Sequence, residues 1–266
     1  MVNAAVEAPF GTAVVGEPAE RVKAAPVEIR IQTLSRALWC AAGLVLGLGI
    51  LREIVQPIIG FDTPLEDLRH FALDSEQNMQ AWLESILMAL AAALLTIVAA
   101  LSRRHDPANR FHWAGLAIVF LLFSIDESVS FHESTMDTLR AEFRLTGVLH
   151  FSWVVIAAPL LIAFAVVFIP FLLRLPRATM LRFVIAGSVF VVGAFGMELV
   201  GGYLVSTEGD RSLPYRLSAM CEESLEIVGV TLFVSALLRL LAARMSSLRF
   251  CYGESGPVRV GRDKTE

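Results

Sequence analysis

Residues Phe151 to Leu173 read FSWVVIAAPLLIAFAVVFIPFLL, an apolar stretch without one charged side chain. A helix rises 1.5 Å per residue, so about 20 such residues cross the roughly 30 Å of hydrocarbon in a bilayer. Inside hydrocarbon every backbone N–H and C=O needs a partner, and a helix supplies one within its own segment. The stretch therefore reads as a transmembrane helix. Ser85 to Leu101 is also uncharged, and Phe183 to Val205 contains only Glu198. Leu34 to about Pro57 carries Arg52 near one end, where a long side chain can reach the interface. Two further stretches, Trp113 to about Ser130 and Leu217 to Leu238, reach full length only if acids are admitted into the membrane.

Those six stretches predict an all-α, polytopic transmembrane bundle over residues 31–245. A disordered tail is expected over 1–30 and a second tail over 246–266. The composition agrees: 56% of residues are hydrophobic and only 18% are charged, more apolar surface than a soluble core of this size consumes. The lipid bilayer is the partner this implies. A net charge of -4 offers no basic field for nucleic acid. Cys40, Cys221 and Cys251 form neither a disulfide framework nor a paired metal motif.

Basic residues are retained on the cytoplasmic side of short loops, which orients the bundle. With the N-terminus inside, sixteen of the 22 Lys and Arg residues fall on the inner side. Arg52, Arg69, Arg140, Arg144, Arg211 and Arg216 fall outside. Both termini are thus expected in the cytoplasm, and the localisation expected is a bacterial inner membrane. In the first outer loop Thr63-Pro64-Leu65-Glu66 has the signature of a capped helix start, predicting a short surface helix over Pro64 to Phe71. Its Asp67 and His70 read as a solvated polar face. Gly43 and Gly47 in the first span, and Gly187 and Gly201 in the fifth, predict close helix contacts.

The acids carry the functional signal, because each charge at mid-bilayer costs about 2.5 to 3.5 kcal/mol on insertion scales. Asp126, Glu127, His132 and Glu133 lie in the outer part of the third span, Glu198 past the middle of the fifth, and Glu222, Glu223 and Glu226 at the start of the sixth. Glu84 and His150 enter from the same side. At about 100° per residue, the three carboxylates of Glu222-Glu223-x-x-Glu226 share roughly 100° of arc. Asp126-Glu127-x-x-Ser130 repeats the spacing, with Glu133 and Ser134 continuing its face. An unbroken helix points His132 roughly 140° away, so it joins the acids only if the helix bends or ends there. Three helices presenting acids to one interior suit a divalent cation or a proton pathway; His132 would extend the choice to Fe²⁺ or Zn²⁺.

Ser124-Ile125-Asp126-Glu127 through His132-Glu133, with the later Glu222-Glu223-Ser224-Leu225-Glu226, resembles a group of bacterial polytopic membrane proteins with a DE…HE span and an EExxE span. That resemblance brings no activity with it. A fainter likeness to the ceramidase and progestin-receptor-like membrane hydrolases implies Ser, Asp and His near one membrane face. Those families also carry a late His-x-x-x-His pair that this sequence lacks, so their chemistry does not transfer. Three classes stay open: a cation- or proton-binding membrane protein using these eight residues, a metal-dependent enzyme on a lipid-like substrate, and a structural or sensory subunit.

Overall fold

A computed structural model describes residues 31–60, 70–73 and 78–244. The expected tails, Cys251, and the capped start at Thr63 with Asp67 lie outside the described residues. Among the described residues eight α-helices follow in order: α1 Ile31–Ile59, α2 Met79–His105, α3 Arg110–Val129, α4 Phe131–Phe143, α5 Val154–Leu172, α6 Arg177–Val191, α7 Glu198–Glu208 and α8 Leu213–Arg244. A 3₁₀ turn over Gly147–Leu149 precedes α5, and a π-helical turn over Val192–Met197 joins α6 to α7 into one rod. No strand occurs among the described residues. Six helices are long and apolar enough to cross a membrane: α1, α2 from Met79 to Ser102, α3, α5, the α6–α7 rod and α8.

α8 is the central helix, buried chiefly from Ile227 to Leu241, with α1, α2 and the α6–α7 rod packed around it. The core is apolar and aromatic toward the ends where α3 begins and α8 finishes. Trp113 meets Phe171 edge-on at 4.8 Å, and Phe120 stacks on Phe233 at 4.5 Å. Lipid tails are as apolar as these side chains, so close packing and polar pairing hold such a bundle together rather than expulsion of water.

Two polar ties fix α1 against α8. Near one end Ser35 and Ser235 bring their hydroxyls to 3.2 Å. Near the other, Arg216 donates to the Glu53 carboxylate at 2.7 Å, and Arg52 pairs with the same carboxylate at 2.5 Å. Glu53 and Arg216 are both buried. Arg52 thus does not simply reach out to the interface.

Glycine usage departs from expectation. Gly43, Gly47 and Gly187 are exposed, with open space where a Cβ would stand. α1 instead packs through a stripe of Ala42, Gly49, Glu53 and Gln56, turned away from Gly43 and Gly47. Gly201 does sit at a contact, near Phe151, Ser218 and Tyr215. Among the described glycines the closest approach to another helix's backbone falls at Gly229, where a Cβ would stand 2.7 Å from the backbone nitrogen of Phe190.

Candidate acidic centre

The intramembrane acids gather at the end of the bundle where α2 and α8 begin and α3 finishes. Asn78 fixes the start of α2: its Oδ1 accepts from the Ala81 amide at 2.7 Å, and its Nδ2 donates to the Ala72 carbonyl at 2.6 Å. That N-cap satisfies an otherwise orphaned amide and sets the rotation of the first turns. One turn on, a serine clasp joins α2 to α3. The Ser85 hydroxyl donates to the Ser124 carbonyl at 2.8 Å, the Ser124 hydroxyl donates to the Ser85 carbonyl at 2.9 Å, and Ser128 lies 2.6 Å from Ser85 Oγ. Glu84 precedes Ser85 and Glu127 precedes Ser128, so the clasp sets the two acids side by side.

α8 brings the third. A carboxylate oxygen from each of Glu84, Glu127 and Glu226 lies within 4.8 Å of the other two. Glu84 is 0% exposed, and its carboxyl oxygens have no hydrogen-bond partner outside the acidic cluster. Opposed carboxyls in so dry a place are compatible only with a proton or a cation between them. All three donors are hard oxygens, a set that suits Mg²⁺, Ca²⁺ or Mn²⁺ better than softer metals.

The π-helical turn aims the second acid pair. π-turns insert an extra residue into an α-helix and are frequent at functional positions. Here the turn presses Gly193 onto α8, where a Cβ would stand 2.9 Å from the Glu222 carbonyl oxygen and 3.0 Å from Glu226 Cγ. The next helical residue, Glu198, is buried and accepts from the Trp153 indole at 2.5 Å. The Glu222 carboxyl faces that of Glu198 within hydrogen-bonding reach.

His132 enters through a helix break. The third span stops at Val129, Ser130 takes the left-handed conformation (φ 55°, ψ 45°), and α4 starts in a new direction. Positive φ is uncommon for a residue with a Cβ, so the surrounding contacts must hold it. Asp126 does so: its Oδ1 accepts from the His132 amide at 3.1 Å and its Oδ2 lies 2.7 Å from His132 Nδ1. The unbroken-helix expectation for Glu133 and Ser134 is thereby corrected. Glu133 instead lies on α4, its Oε1 3.7 Å from His132 Nε2, while the ring packs against Trp153 at 5.0 Å.

Burial pulls the His132 pKa down, but the hydrogen bond and charge of Asp126, with the charges of Glu133 and Glu198, outweigh it and raise the value to about 9. The imidazole is therefore a resident cation beside the acids at neutral pH. His150 goes the other way, lowered by burial and by the Arg140 guanidinium despite Glu198.

Seven of the eight residues expected from the sequence thus fall into three groups. Glu127 and Glu226 meet Glu84; Asp126, His132 and Glu133 form a chain; Glu198 and Glu222 face each other beside Trp153. Glu223 lies half-buried on α8 alongside them. Glu84 was noted from sequence but not placed among the ligands. Its signal was Gln80 one turn earlier, a second polar residue on a helix face that is apolar from Leu87 to Val98.

Fold and centre together define an all-helical protein with six membrane-length helices and a buried acidic cluster near one end. The chain belongs to the family described as Domain of unknown function (DUF8692), whose model matches residues 37–241 and so covers every acid named above. No curated protein and no solved structure matches it.

Proposed function

We propose that this protein binds a hard divalent cation at Glu84, Glu127 and Glu226, in the outer half of a bacterial inner membrane, with both termini in the cytoplasm. The observation that carries the reading is Glu84, wholly buried, without a hydrogen-bond partner outside the acidic cluster, and facing two further carboxylates. A dication would offset the mutual repulsion of the three carboxylates and give buried Glu84 a counter-charge. Purified protein in detergent should gain thermal stability when Mg²⁺, Mn²⁺ or Ca²⁺ is added after chelation, since a ligand at 100 times its Kd contributes about 2.7 kcal/mol. Glu84→Gln keeps shape and removes one charge; it should weaken binding about tenfold or more while the metal-free protein stays folded. A cation-independent melting temperature, with Glu84→Gln merely destabilised, would show instead that the acids are packing elements.

The Asp126–His132 pair favours a second reading, a metal-dependent enzyme on a lipid-like substrate. A carboxylate fixing Nδ1 of an imidazole beside a cation is the arrangement that moves a proton to or from a reacting group. Turnover of a lipid-like substrate that requires both the cation and His132 would select this reading.

A further inference from the structure

Of the six membrane-length helices, α5 alone makes no extended close backbone approach to another helix among the described residues. Its attachments lie at its two ends. At one end Phe168 and Phe171 are buried: Phe171 lies against the rings of His112 and Trp113, and an added Cβ on Gly115 would stand 3.3 Å from Phe168 Cζ. A phenylalanine ring thus spans the space between the α5 and α3 backbones. At the other end Trp153 donates to Glu198 and packs on His132, and the Ser152 hydroxyl donates to the Met136 carbonyl at 2.6 Å.

Between these ends no large ring fills the space next to the acids. The inward stripe of α5 continues through Ala157, Leu161 and Phe164 at helical spacing, and all three are only half-buried. The α3 stripe opposite runs from His112 and Gly115, which touch α5, through Val119 to Asp126, which holds His132. Val119 is half-buried, and Phe123 is 42% exposed although its ring stacks on Phe190 at 6.1 Å. An alanine cannot fill a space one phenylalanine wide, so a cleft remains between α3 and α5. From Trp153 to Phe164 it runs about 16 Å along the helix axis. One leaflet, half of the roughly 30 Å of hydrocarbon, has that thickness. Leu160, Ile162 and Val166 on the outward side of α5 are exposed, so the cleft is continuous with the surface that faces the bilayer. Its upper end is polar, closed by Glu198 and by the Asp126–His132 pair.

We propose that the cleft between α3 and α5 holds one acyl chain of a bilayer lipid, entered sideways, with the lipid's polar head at His132 and the acidic centre. A space at hydrocarbon depth that opens onto lipid is filled by what surrounds it, and one polar end selects an amphiphile over a wholly apolar guest. The place of the head rests on the lipid-like-substrate reading above; the place of the chain rests on how α5 stands off from α3.

The test uses the full-length chain in phosphatidylcholine nanodiscs, part of the lipid carrying a photoactivatable diazirine midway along one acyl chain. A chain held in a concave site is retained against the surrounding bilayer, so labelling of Phe123 and Leu161 should exceed that of lipid-facing Leu160 about threefold or more. Ala157→Phe should fill the cleft, cut that labelling about threefold or more, and leave the melting temperature unchanged or higher, as expected where a void is filled without strain. Leu160→Phe should alter neither. Labelling of Phe123 and Leu161 no greater than that of Leu160 overturns the proposal. So does a lowered melting temperature for Ala157→Phe, since overpacking means that α5 already fits against α3. Labelling that vanishes when each nanodisc holds two copies gives the cleft to a second chain and overturns it as well. A labelled cleft without turnover of any lipid-like substrate leaves the chain site standing and removes the enzyme reading; turnover with an unlabelled cleft does the reverse.

Discussion

Nδ1 of His132 lies 2.7 Å from Oδ2 of Asp126, across the turn where the third span ends and α4 begins. The other carboxylate oxygen of Asp126 holds the His132 backbone amide. One side chain thus fixes both the direction of a helix and the environment of an ionisable ring.

This pair makes stability depend on pH with a definite sign. The folded value of His132, about 9, lies above its ordinary 6.5, so the protonated form is bound more tightly in the folded protein. The stabilisation is fully present below about pH 6.5 and is lost as pH rises through about 9. Thermal unfolding between pH 6 and 10 should show this fall, and Asp126→Asn should flatten it. A fall unchanged in His132→Asn would assign it to another group.

Glu53 and Arg216 should behave as a buried pair where α1 ends and α8 begins. Removing one partner of such a pair leaves an uncompensated charge and costs about 3 to 5 kcal/mol. Glu53→Ala alone is expected to destabilise more than the double variant Glu53→Ala with Arg216→Met. Chemical denaturation of the four proteins of that cycle gives the coupling directly, and additive losses would deny it.

Two glycines should separate packing from lipid exposure. At Gly229 an added Cβ meets the Phe190 backbone at 2.7 Å, so Gly229→Ala should cost about 1 to 3 kcal/mol by overpacking. At Gly187 nothing lies within 4 Å. Gly187→Ala should be neutral or stabilise by up to about 1 kcal/mol through helix propensity. The reverse ranking in melting temperature would contradict the α6–α8 packing.

Orientation is accessible to reporter fusions. The excess of basic residues on one side predicts that a reporter joined after Lys264 is active in the cytoplasm, with the loop from Asp62 to Glu76 on the other face. Activity of that fusion outside would invert the bundle and move the acidic centre to the inner half.

Hydropathy and length alone determined the six spans, because whether a segment can satisfy its own backbone across hydrocarbon is a local property. The sequence also exposed most of the acids, since a charge in an apolar run is conspicuous wherever it points. It could not say which face of a span meets lipid and which meets protein: lipid tails and leucine side chains are equally apolar. So Gly43, Gly47 and Gly187 looked like contacts and Gly49, Gly193 and Gly229 did not. Arg52 looked like an interfacial anchor, although it pairs with the Glu53 carboxylate, which also binds Arg216, 163 residues further along the chain. Only the tertiary structure joined Glu84 to Glu127 through the serine clasp. Only it broke the third span at Ser130, bringing His132 to the acids. Both depend on side chains from different helices meeting at one depth, and no periodicity within a single helix encodes that.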